Sequence, residues 1–160
     1  SAASDVYKRQ AYASAEMADV SLKKYERWSL SHPLKKSLAD KRNAMDKAIA
    51  TYQRTHDYGV AEFTTLATQK MGEIYASFAI ALMESERPGN LSELEREQYD
   101  MLLEEQAYPF EEQAIAFFGI NIERVWQGTR TNATKASYQS LAKLMPAKYN
   151  KPEMKPVLKP

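Results

Sequence analysis

Residues 66–82 read LATQKMGEIYASFAIAL. Leu66, Ala67, Met71, Ile74, Tyr75, Phe78 and Leu82 recur there at the three- and four-residue intervals of an α-helix. The breadth of that apolar face predicts a helix over 61–86 that is buried on two sides. Such a helix needs helical neighbours, and both flanks supply them. Upstream, residues 34–57 carry Leu38, Met45, Ala48, Ile49 and Tyr52 in phase, and stop at Asp57-Tyr58-Gly59, where glycine can take a left-handed cap. Before them, residues 5–29 space Ala11, Ala15, Ala18, Leu22 and Tyr25 along one face, small enough for a close neighbour; Ser31 and Pro33 mark the break.

Downstream, Arg87-Pro88-Gly89-Asn90 ends the central helix, and Ser92 followed by Glu95 is a capping box that opens a fourth helix over 92–107. Pro109 suits a first helical turn, so a fifth helix is expected over 109–127, with Phe110, Ala114, Phe117, Phe118, Asn121 and Val125 on one face. Gly128 ends it. A sixth helix over 132–145 uses Tyr138, Leu141 and Met145, and the tail 147–160, rich in lysine and proline, reads as extended. No stretch alternates apolar and polar residues as a half-buried strand would. The expected fold is all-α: about six helices in antiparallel hairpins.

The chain has 160 residues and a mass of 18.2 kDa, the size of one domain or a few repeats of a longer array. Its 22 Lys and Arg against 21 Asp and Glu leave a net charge of +1, which carries no nucleic-acid footprint. The absence of cysteine excludes disulfides, thiolate catalysis and cysteine-bound zinc. No run of 18 apolar residues exists to cross a membrane, and five glycines form no phosphate-cradling loop. Charge is nevertheless segregated: residues 84–112 hold ten acidic and two basic side chains, and 113–160 hold two acidic and eight basic. The acidic block reads as a solvated helix face or as a docking surface for a basic partner.

Candidate chemistry is sparse. His32 lies beside a helix break and His56 near a helix end, and neither follows a Glu three residues earlier, so the Glu-x-x-His spacing of di-iron bundles is missing. His56 falls in phase with Ile49 and Tyr52, as a hydrogen-bonded core histidine would. Glu104-Glu105 and Glu111-Glu112 are adjacent pairs, which diverge by about 100 degrees on a helix and do not converge on one bond. The expectation is no enzyme, no catalytic residue, no metal and no cofactor.

Two spacings match a 34-residue helix-turn-helix repeat. In Ala48-Ile49-Ala50-Thr51-Tyr52 and Ala114-Ile115-Ala116-Phe117-Phe118 an alanine precedes an aromatic by four residues, and Met71-Gly72-Glu73-Ile74-Tyr75 has the hydrophobic-Gly-x-x-Tyr of a first repeat helix. A generic antiparallel bundle accommodates the same spacings. The strings PLKKSLADKRNAMDKAIATYQ, DYGVAEFTTLATQKMGEIYASFAIALMESERP, LSELEREQYDMLLEEQAYPFEEQAI and SLAKLMPAKY, within residues 33–149, resemble the C-terminal part of large bacterial tetratricopeptide-repeat (TPR) proteins. The resemblance implies a divergent TPR-like α-solenoid without catalytic activity and favours the periplasm or cell envelope, with the cytoplasm as the alternative. It departs at residues 128–134, GTRTNAT, where the family has a more acidic, Trp-containing helix start.

Ser1–Gln10, SAASDVYKRQ, resembles a leader found on unrelated translated metagenomic sequences and is expected to be non-native. The repeat domain is then 11–146, with an acidic helical insertion over 87–107 standing out as a protrusion. The leading expectation is a scaffold that binds a protein or peptide partner and packs against upstream repeats of the same chain. A structural cap of a longer array, and more remotely a helical enzyme, are the alternatives. If Met71 and Gly72 hold the first-helix signature positions, Gln69, Glu73 and Ser77 point into a concave surface and form the partner site. Neither nucleic acid nor membrane insertion is expected.

Overall fold

The computed structural model describes the backbone of residues 1–148 and the side chains of residues 1–145. Within them lie five helices and no strand: α1 (Ala2–Arg27), α2 (Leu34–Asp57), α3 (Ala61–Met83), α4 (Glu93–Trp126) and α5 (Asn132–Lys148). Each packs on the next, and α3 also touches α1 and α5, so α3 is the centre of the molecule. Its Ala67, Met71, Ile74, Phe78 and Leu82 are all buried. They meet Ala18 and Tyr25 of α1, Met45, Ala48 and Tyr52 of α2, and Ala107 of α4 in one apolar cluster.

The helix ends follow their sequence signals. Ser92 Oγ accepts from the Glu95 amide at 3.1 Å and starts α4. Gly59, at φ +71°, lies just past the end of α2. Gly128, at φ +101°, donates to Val125 while Thr129 donates to Arg124, the paired bonds of a Schellman cap. Pro33 occupies the position just before α2 rather than its first turn.

The number of helices is the main correction. The helices expected over 92–107 and 109–127 are one 34-residue helix, with Pro109 in its interior. Proline removes one amide donor there, and both Pro109 and Glu105, four residues earlier, are exposed, so water can serve the freed carbonyl. On the opposite side Leu103 and Ala107 before the proline, and Ala114 and Phe118 after it, are buried, which keeps the helix continuous. The acidic stretch expected as a separate insertion is therefore a turn and the first half of α4, tied back by Arg87 Nε to Asp100 at 2.6 Å. Two smaller differences concern α5: Tyr138, expected on its apolar face, is half exposed, and the helix runs past Pro146 to Lys148. The remainder of the tail, 149–160, lies outside the described residues. Residues 2–10 continue α1, and none of the first ten is buried.

Two buried tyrosines, Tyr25 and Tyr52, and the half-buried Tyr75 give the fold an alkaline signature. Burial raises the Tyr52 phenol far above its ordinary value of 10, and its hydroxyl donates to Asp19 at 2.5 Å; burial also raises Tyr25 and Tyr75. These phenols ionise near pH 10 in the unfolded chain and only at higher pH in the folded one. Their contribution to stability is therefore fully present below pH 10 and is lost as pH rises past it. Lys41, whose burial lowers its ammonium below 10.5, acts the opposite way and offsets part of the loss. In melting curves from pH 8 to 11, Tyr52→Phe is expected to flatten the decline by up to about 1.4 kcal/mol per pH unit above 10. An unchanged slope would show that Tyr52 does not resist ionisation.

Candidate partner-binding groove

The α3 stripe Gln69, Glu73, Ser77 runs along the side of the helix that meets α5 at one end and α1 at the other. Gln69 is not a surface residue. It is 3% exposed and covered by α5: its amide oxygen accepts from Ser137, and its Nε2 donates to Glu73 Oε1 at 2.9 Å and to Ser140 Oγ at 3.3 Å. The expectation that it faces a partner is corrected, because a buried amide with every strong contact supplied from within the fold needs no ligand. Glu73 and Ser77 are exposed. Ser77 shares a 2.8 Å hydrogen bond with Tyr25 of α1.

Beneath α5 the polar contacts continue as a buried network. Asn121 of α4 is fully buried; its Nδ2 donates to the Thr65 carbonyl at 2.9 Å and to Ser137 Oγ at 2.8 Å. Its Oδ1 accepts from Arg124, which also donates to Thr68 Oγ1 at 2.7 Å and meets His56 Nε2 at 3.1 Å. A guanidinium only donates, so Nε2 is the acceptor and the imidazole proton sits on Nδ1, 3.1 Å from Asp57 Oδ1. That contact, with a second from Gln53, holds the Asp57 carboxyl below its ordinary value. His56 is thus half-buried and hydrogen-bonded, with both ring nitrogens occupied. Sequence reasoning missed the network except for His56 and Asn121, because Ser, Thr and Gln on a helix carry no sign of which neighbour will cover them.

Where α5 leaves α3 beyond Gln69, an open groove of about 720 Å³ remains between α3, α4 and α5. Ala76, Ile80 and Met83 of α3, Phe118 of α4 and Leu144 of α5 supply its apolar surface. Ile80 is 51% exposed and Met83 37% exposed. Glu73, Ser77, Glu104 and Lys143 contribute the polar lining. Two of the three residues expected in the partner site therefore line one groove, and the third is the buried anchor that closes its end.

Elsewhere, among the described residues, no group of three or more His, Asp or Glu side chains is placed to hold a metal ion, and no helix is long and apolar enough to cross a membrane. No family model matches the chain, no curated protein matches it, and no solved structure matches it.

Proposed function

We propose that this chain is a protein-interaction scaffold, a divergent TPR-like α-solenoid segment without catalytic activity, whose groove between α3, α4 and α5 binds a segment of a partner protein. The carrying observation is the groove itself: a large open cleft with exposed Ile80 and Met83 beside buried Phe118, on the central helix of the stack. Contiguous exposed apolar surface with a polar rim is characteristic of binding grooves. The helix order supports the solenoid reading. Odd-numbered helices touch one another across the stack, and each helix packs on its successor. Two of the repeat-like segments also meet in space, since Gly72 of the Met71–Tyr75 segment lies against the Phe118 ring of the Ala114–Phe118 segment.

The test is selection of peptides from a displayed library, followed by titration of the best binder. Ile80→Glu places a charge on the apolar wall and is expected to weaken that binder by about tenfold or more, as losing a central apolar contact does. Glu73→Ala should change affinity less, and both variants should retain the helical circular dichroism of the parent. A peptide bound equally well by Ile80→Glu would remove the groove from the reading.

The cap reading draws on a different surface. On α1, Met17 and Val20 are exposed on the side away from the core, apolar surface that a preceding hairpin of the same chain would cover. Light scattering at rising protein concentration checks it: self-association relieved by Met17→Lys is the expected result for a cap, and a stable monomer is the result against it.

A further inference from the structure

A second cleft, separate from the groove, lies where α4 hands over to α5. It encloses about 680 Å³ between the last turn of α4 and the first two turns of α5. Trp126 and Tyr138, 51% and 50% exposed, contribute its aromatic surface, with Ile122 and Val125 beside them. Arg130 and Lys135 bring two positive charges, and the lining contains no Asp or Glu. Among the described residues the side chains of Trp126, Arg130, Lys135 and Tyr138 have no hydrogen-bond or ion-pair partner. Indole, guanidinium and ammonium groups can only donate, so the cleft offers donors and aromatic faces to whatever enters.

Its base is already ordered. Thr131 and Thr134 cap α5 reciprocally, amide to hydroxyl in both directions at 2.9 and 3.2 Å, and Thr131 Oγ1 meets Thr65 Oγ1 of α3 at 2.8 Å. The cationic residues Arg130 and Lys135 flank that fixed turn, so little backbone ordering remains to oppose binding. The cap serves the Thr134 amide, and the argument rests on the four unspent side chains and the unbalanced charge.

We propose that this cleft binds an acidic protein segment that presents an aromatic or aliphatic side chain next to its carboxylates. The carboxylates pair with Arg130 and Lys135, and the apolar side chain lies against Trp126 and Tyr138. Charge complementarity selects the segment, since the charged side chains the cleft supplies, Arg130 and Lys135, are both cationic. The site is independent of the α3 groove: it shares no lining residue with it.

The test uses the full chain with Trp28→Phe, which leaves Trp126 as its sole tryptophan. Blocked hexapeptides of alternating Glu and Phe, of Glu alone, and of alternating Lys and Phe are titrated against indole fluorescence. The Glu-Phe peptide is expected to bind most tightly, the Glu peptide more weakly and the Lys-Phe peptide least. Arg130→Glu with Lys135→Glu should weaken the Glu-Phe peptide by about tenfold, two exposed pairings having become repulsions. That variant should keep its far-ultraviolet spectrum, because both side chains are exposed and neither has a hydrogen-bond or ion-pair partner among the described residues. Equal binding of the Lys-Phe peptide, or unchanged affinity in the charge-reversed variant, would overturn the proposal. So would tighter binding to phosphatidylglycerol vesicles than to the Glu-Phe peptide, which would assign the cleft to a membrane surface. A concentration-dependent oligomer abolished by the charge reversal would replace the proposed partner with a second copy of this chain.

Discussion

Asn121→Leu is expected to lower the unfolding free energy by about 3 kcal/mol, read as a shift in the urea midpoint at constant slope. Leucine has the same branched arrangement of four side-chain heavy atoms as asparagine and is somewhat bulkier, so no cavity opens and the cost comes mainly from lost hydrogen bonding. Asn121 is fully buried and joins three helices: it donates to Thr65 of α3 and Ser137 of α5 and accepts from Arg124 of its own helix. The Thr65 carbonyl keeps its place in the α3 ladder, and the damage falls on Ser137, which loses a donor, and on Arg124, which loses an acceptor. Hydrogen bonds to a charged group contribute about 1.5–3 kcal/mol, and a buried group left without its partner costs about 1–3 kcal/mol. Glu123→Ala, on the exposed side of the same turn, should stay within about 0.5 kcal/mol of the parent. If Asn121→Leu proves as stable as the parent, the network does not hold α5 to α3.

The second large effect arises at Gly72. Alanine in a helix interior ordinarily gains about 1 kcal/mol over glycine. Here a Cβ would lie 2.5 Å from Phe118 Cε1 and 2.8 Å from Cδ1. The ring is 1% exposed and wedged among Ala114, Ile122, Leu141 and Met145, so it cannot retreat without moving α5. Overpacking of this kind costs about 1–3 kcal/mol, enough to cancel or reverse the helix gain for Gly72→Ala. Gly72→Val adds a branched side chain to the same contact and is expected to lose about 3 kcal/mol. Adding Phe118→Leu to Gly72→Ala should recover part of the loss, a coupling that identifies the ring as the obstacle. A Gly72→Ala protein more stable than the parent would mean that the ring swings aside freely. The contact bears on binding as well, since Phe118 forms part of the groove and its depth depends on how closely α4 approaches α3.

The comparison between reading and structure turns on particular residues. The stripes around Met71 and Phe78, Met45 and Tyr52, and Ala11 and Ala18 identified buried faces, because helical period and burial are linked wherever a helix packs on a core. Ser92, Gly59 and Gly128 marked helix ends through local backbone geometry that hardly depends on the rest of the chain. Pro109 misled because its local effect, one missing donor, is small beside the apolar contacts of Leu103, Ala107, Ala114 and Phe118 on either side of it. Within the expected partner site, Glu73 and Ser77 line the groove, whereas Gln69 lies beneath α5. The three share one stripe of α3, and periodicity alone treats them alike.

By itself the chain's order of residues determined an all-α protein, its helix faces and most of its helix ends, since periodicity and capping act over three to eight residues. Tertiary structure alone decided that α4 is continuous, that α5 closes over Gln69 and then parts from α3 to leave a groove, and that Arg130 and Lys135 flank an aromatic cleft with no carboxylate. Those outcomes depend on where one helix crosses another, and that is set by the summed packing of side chains far apart in sequence.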